Sequence, residues 1–197
     1  MILLTAIAVG TLAGWGYAKW MGTVWQPPTF RAAWLVALGF LPQFVAFYLP
    51  YTRRSLPDEI ASLSLIGSQL LLLAFTLINL RLPGMPLLML GLGCNLGVVL
   101  ANGGFMPLTV EAAARLVNQR ILNGLTIGER VSSASKDVLL PEARIFLPWL
   151  ADRFTSPPFL PYRFAFSLGD VLVAAGTFWL LLVGRPIATG ITKLGET

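Results

Sequence analysis

The chain has 197 residues, 56% of them hydrophobic and only 12% charged, with a mean hydropathy of +0.74, which excludes an ordinary water-soluble domain and indicates an integral membrane protein. The formal charge of +5 does not point to nucleic acid, because the 14 Lys and Arg are scattered among apolar runs and form no basic block. Histidine is absent, which removes the usual haem or zinc ligand and the usual general base, and the lone Cys94 leaves no intrachain disulfide.

A hydrocarbon core about 30 Å thick needs roughly 20 apolar residues in a helix. Five segments come close enough to be read as spans. The first, 2–18, has no basic region before it and reads as an uncleaved anchor. The second, 32–49, carries Pro42-Gln43 at its middle, where the missing N–H should kink the helix. The third, 60–80, is uncharged, with Ser64, Ser68 and Gln69 along it, and Asn79 and Arg81 anchor its end by snorkelling. The fourth, 83–101, begins on prolines that suit a first helical turn. The fifth, 164–184, ends at Arg185-Pro186.

Between the fourth and fifth spans, residues 102–163 are too polar and too broken to cross a bilayer and read as an ordered extramembrane cap. Thr109 can cap a helix there, with Val110, Ala113, Ala114, Val117 and Ile121 on one face, ended by Asn123-Gly124. The expected fold is therefore all-α: a single membrane domain over residues 1–197, built as a five-helix bundle with a cap. Basic residues divide five to nine between the two sides, with Lys19, Arg31, Arg81, Arg185 and Lys193 on one. Long loops translocate largely regardless of charge, and Lys19 just after the first span favours an outside N-terminus and an inside C-terminus.

Polar chemistry gathers in a few places. Asn95 and Asn102 are seven residues apart, hence within about 20° of one helical face, and an amide in hydrocarbon needs a partner. Gly103 and Gly104 supply positive φ angles for leaving the helix, and nearby arginines would be needed for any anion bound at that turn. Asp170 would cost about 2.5 to 3.5 kcal/mol at mid-membrane, so it belongs in the outer half, either in an ion pair with Arg163, Arg53 or Arg54, or as a proton-carrying or ligand-binding carboxylate. Topology puts Asp170, Asn102, the glycine turn, Arg53 and Arg54 at one end, where they could converge with Asn95 as a ligand site or a structural polar cluster. Gly10 with Gly14, and Gly93 with Gly97, form small-residue pairs suited to close helix packing. No catalytic residue and no metal site emerges.

The stretches "NLGVVLANGGFMP", "GERVSSASKDVLL", "LPWLADRF" and "FSLGDVL" together resemble a family of small bacterial multi-pass membrane proteins, a domain of unknown function. Asn95, Asn102, Gly103, Gly104, Pro107, Gly169 and Asp170 match its motifs, and the resemblance brings no activity with them. It places the chain in the bacterial cytoplasmic membrane. The expected function is that of a non-catalytic accessory or assembly subunit in a larger membrane complex, with membrane lipids and other subunits as partners and no nucleic acid. The alternatives are a carrier of a small or lipidic solute, proton-coupled through Asp170, and a membrane enzyme acting on a lipid or isoprenoid. No cofactor is required, although the aromatic cap is compatible with a bound lipid, quinone or carotenoid.

Overall fold

The computed structural model describes residues 1–157, 159–160 and 162–188; Lys193, counted above for orientation, lies outside the described residues. Five principal helices form the bundle. They are α1 (Ile2–Trp20), α2 (Trp34–Gln43), α4 (Asp58–Ile78), α5 (Met85–Ala101) and α8 (Leu168–Val183), with the short α3 (Thr52–Ser55) before α4. Two of them, α1 and α4, are long and apolar enough to cross a membrane, whereas α2 with its extension, α5 and α8 are shorter apolar helices.

Contacts set the helices in the order α1, α8, α5, α4, α2. Neighbours in sequence run in opposite directions, while α1 and α8, first and last in the chain, lie side by side and parallel. A two-stranded antiparallel ladder joins the segments that follow these two, β1 (Thr23–Gln26) and β6 (Arg185–Ala188), with Trp25 opposite Pro186. The Trp25 Nε1–H also donates to the Leu181 carbonyl at 2.9 Å. This defines a strand end of the molecule; the opposite end carries the cap.

Sequence explains most helix limits. Pro86 sits in the first turn of α5 behind Gly84, whose φ of +81° turns the chain into the helix. At Pro42 the helical path continues, and after Gln43 it widens into a π-helical turn over Phe44–Tyr48. The fifth helix starts at Leu168 rather than near residue 164. Ser167 caps it, and Ala165–Phe166 (β5) is already paired as a strand with Phe154–Thr155 (β4).

The cap corrects the all-α expectation, since the described residues are mostly helical but include short strands. Met106–Thr109 (β2) pairs in parallel with Asp137–Leu140 (β3). Four residues, all buried in β2, give no alternation by which a strand could be read from sequence. The expected cap helix is also two pieces. Thr109 does accept the Ala112 N–H at 3.1 Å to start α6 (Val110–Leu116), but Asn118 then starts α7 (Gln119–Leu122) by accepting from Ile121 at 3.0 Å. An asparagine side chain that bonds the backbone locally competes with a continuous helix, and it leaves Ile121 exposed rather than on a buried stripe.

Two apolar clusters fasten these parts together. One joins Phe47, Leu65, Val98 and Val99 of the bundle to Phe105 and Met106 of the cap; the other joins Leu35, Phe75, Met85 and Leu180 at the strand end. Arg130 pins the cap from above. Its guanidinium lies over the rings of Phe47 and Phe105 and pairs with Asp58 at 3.3 Å, with only 8% of its side chain exposed.

Candidate functional site

The polar centre lies where the cap meets α5 and α8. Ser167 and Asp170 form a reciprocal capping box: the Asp170 N–H donates to Ser167 Oγ at 3.0 Å, and the Ser167 N–H donates to Asp170 Oδ2 at 3.2 Å. Asn95 completes the arrangement from α5. Its Nδ2 donates to Asp170 Oδ1 at 2.8 Å, and its Oδ1 accepts from the Ser167 hydroxyl at 2.9 Å. Ser167 is fully buried and Asn95 nearly so. Three side chains from two helices thus satisfy one another in a closed ring.

Glycines make the approach of these helices close enough. A Cβ on Gly91 would overlap the Gly169 carbonyl, a Cβ on Gly169 would overlap the Asn95 amide, and two turns down the same seam Gly84 and Gly176 meet in the same way. Such close backbone packing, with the hydrogen bonds of the ring, holds α5 against α8.

Of the two readings of Asp170, the ion pair with an arginine is not what the structure shows. Asp170 is the third residue of its helix, where the N-terminal dipole favours a carboxylate, so its partners are amides and a hydroxyl. Arg53 and Arg54 form no ion pair among the described residues; Arg54 is exposed, and the Arg53 Nε is buried without a hydrogen-bond partner. Arg163 turns away to donate to the Arg115 carbonyl.

Asn102 also points elsewhere. Its Nδ2 donates to the carbonyls of Val98 and Phe146 at 2.8 Å, while its Oδ1 accepts the Phe146 N–H at 2.9 Å. Asn95 therefore ties helix to helix, and Asn102 ties helix to cap. Gly103 and Gly104 have φ of +81° and +91°, the conformation the turn demands, and Gly104 sits against Ser62 of α4. Of the helix-packing pairs, Gly10 and Gly14 lie against Phe178 and Leu181 of α8, whereas Gly93 and Gly97 face open space.

A charged recess adjoins the ring and went unread in the sequence. Asp152 is 3% exposed, and its Oδ1 is buried with no hydrogen-bond partner; the Asp137 Oδ1 is in the same condition, although the Asp137 Oδ2 accepts from Ser135. Burial, then the neighbouring charge of Asp137, pushes the Asp152 carboxyl up to about 8, with Asp170 adding to the rise and Lys136 opposing it. Burial likewise raises Asp137, against the pull of Lys136 and the Ser135 hydroxyl. For Lys136, burial acts downward, but Asp170, Asp152, Asp137 and Tyr48 together hold the ammonium above its ordinary value. Lys136 keeps exposed surface, whereas Asp152 is buried. Among the described residues no group of three or more acidic or thiol side chains is placed to hold a metal ion.

A second feature lies in the hollow of the helix row. An apolar cavity of about 500 Å³ takes its walls from all five principal helices, among them Ile7, Val36, Phe75, Leu88 and Leu180. The row therefore curves, with α1 and α2 at its two ends.

These features define a class: a mostly helical protein with two helices able to cross a membrane, a capped end, and a polar ring at the boundary between the two. The chain belongs to the family of unknown function DUF5317, whose model matches residues 28–182, from just after β1 to the last turn of α8. No curated protein and no solved structure matches the chain.

Proposed function

We propose that this chain is a five-span protein of the bacterial cytoplasmic membrane, N-terminus outside, acting as a non-catalytic accessory or assembly subunit of a larger membrane complex. The three helices below full spanning length are apolar, and bilayer thinning and interfacial anchors accommodate such mismatch. Large apolar side chains cover the exterior, including Leu12, Leu63, Leu77, Leu90 and Leu100, as a lipid-facing surface requires.

The observation that carries the subunit reading is the difference between glycines. Gly10, Gly14, Gly91 and Gly169 are used inside the bundle, whereas Gly93 and Gly97 offer an outward small-residue face on α5 with room for another helix backbone. A proton-coupled carrier would have to break the Ser167–Asp170 cap and the Asn95 bond in every cycle, which weighs against that alternative. The test is the double variant Gly93→Leu and Gly97→Leu, purified from native membranes in mild detergent, with intact-particle mass as the readout. Loss of partner mass with retained thermal stability supports the reading; a parent particle that contains only this chain overturns it. Orientation is tested with Ser133→Cys and Lys19→Cys in a Cys94→Ala background: an impermeant thiol reagent should label the first on whole cells and not the second.

A further inference from the structure

The apolar cavity ends, on the strand side, beside two free cations. Phe30 and Ala33 line the cavity on either side of Arg31 in sequence. The Arg31 backbone is fixed by Asn79, whose Oδ1 accepts the Arg31 N–H at 2.8 Å and whose Nδ2 donates to the Arg31 carbonyl at 2.9 Å. Arg81 follows Asn79 by two residues, so the clamp that holds the Arg31 backbone also sets the Arg81 backbone nearby, at the strand end of the bundle. Both are exposed, and among the described residues neither guanidinium has an ion pair or side-chain hydrogen bond.

The walls give the complementary information. Among the described residues the only hydroxyls in the walls belong to Thr76 and Thr177, and each already donates within its own helix, to Leu73 and Val173 at 2.8 Å. The cavity thus offers no free side-chain donor to a polar solute, and its chemistry fits a hydrocarbon chain. Between α1 and α2, at the two ends of the curved row, the hollow faces the surroundings of the helices. Volumes of about 300 to 1,000 Å³ are typical of small-molecule sites.

We infer that this cavity holds one acyl chain of an anionic phospholipid, with the phosphate between Arg31 and Arg81. Guanidinium groups bind phosphate oxygens through paired, charge-assisted hydrogen bonds, and the Asn79 clamp holds the Arg31 backbone in place for them. The inference rests on the five-span reading, which puts the cavity in the bilayer and the two arginines at the inner headgroup level, but it is independent of any partner subunit.

The full chain, purified in detergent, is titrated with phosphatidylglycerol and with phosphatidylcholine of identical chains, and binding is read by native mass spectrometry. One phosphatidylglycerol per chain is expected, bound about tenfold more tightly than phosphatidylcholine. Arg31→Gln with Arg81→Gln, both at exposed positions, should erase the preference while leaving chain-dependent binding in place. Thr177→Phe, which fills the cavity, should weaken both lipids, its folding checked by an unchanged melting temperature; if it does not fold, competition by a single-chain alkyl phosphate replaces it and should displace the lipid. Free glycerol phosphate should not compete. Equal affinity for the two lipids, a preference that survives loss of both arginines, or displacement by glycerol phosphate would overturn the proposal. Carbonate extraction of native membranes separates this from the membrane reading: a chain released by carbonate fails as an integral protein, whereas a retained chain without lipid preference fails only here.

Discussion

Two helices of this protein end in the same way, at opposite ends of the bundle. Asn79 closes α4 at the strand end, and Asn102 closes α5 at the cap end. Each amide donates to the carbonyl four residues back and grips both the N–H and the C=O of one distant residue, Arg31 or Phe146. In each case the next residue is a left-handed non-glycine, Ala32 at φ 52° and Leu147 at φ 59°. The surroundings differ. Asn79 is 4% exposed and locks two parts of the helix bundle, while Asn102 is partly exposed and fastens the cap. The same three hydrogen bonds should therefore be worth more at the strand end, where water cannot replace them.

Asn79→Ala should have the largest effect, a loss of about 2 to 3 kcal/mol in stability, because it removes the partner of the partly buried Arg31 N–H and carbonyl and leaves a gap at a buried position. Thermal unfolding in detergent measures it, and a loss no greater than that of Asn102→Ala would break the comparison. Next comes the cap's response to pH. The folded Asp152 keeps its proton up to about pH 8, whereas an unfolded aspartate releases it near pH 4. Between those values the folded state binds more protons, so this contribution is complete below about pH 4 and lost as pH rises through about 8. The raised Asp137 acts in the same direction. Melting temperature should fall from pH 5 to pH 9, and Asp152→Asn should flatten that slope and exceed the parent at the alkaline end; an unchanged slope would remove Asp152 as its source.

Asn102→Ala should cost about 1 to 2 kcal/mol, with faster hydrogen exchange at Phe146 than at the Asn95 seam. The smallest effect should be that of Leu147→Gly. Glycine accepts the left-handed conformation without the roughly 1 to 2 kcal/mol that other residues spend there, and Leu147 is half exposed, so the net change should be within about 1 kcal/mol and stabilising. A clear loss of stability would show that the Leu147 side chain matters more than its backbone.

Local chemistry was the part of this molecule that sequence could reveal. The glycine turn after Asn102, the Thr109 cap and the inward direction of Asn95 all follow from residues within a few positions of one another. Faces were harder. On α5 nearly every side chain is apolar, so no polar stripe marks the exterior, and Gly91 and Gly93 differ by two residues, about 200° of rotation. Spacing alone therefore favoured Gly93 and Gly97, while Gly91 makes the close contact. Asp170 was read as a charge in need of a counter-charge, because nothing near it announces that an amide 75 residues earlier would serve. The recess was least legible of all, since Lys136, Asp137 and Asp152 meet only once the cap has folded. Its one local trace is Asp152 set among apolar neighbours in "LPWLADRF".

The side-by-side pairing of α1 and α8 bears on how the protein is made. Trp25 leaves the ribosome 156 residues before Leu181, its hydrogen-bond acceptor. At about 5 to 20 residues per second, that is a wait on the order of 10 to 30 s. During that interval Gly10 lacks its neighbours Phe178 and Leu181, and Gly14 has only Trp25 of the neighbours it will have in the finished fold. Assembly of the row can begin with the hairpin of α4 and α5, whose partners are consecutive in synthesis, and it closes only when the last helix arrives beside the first.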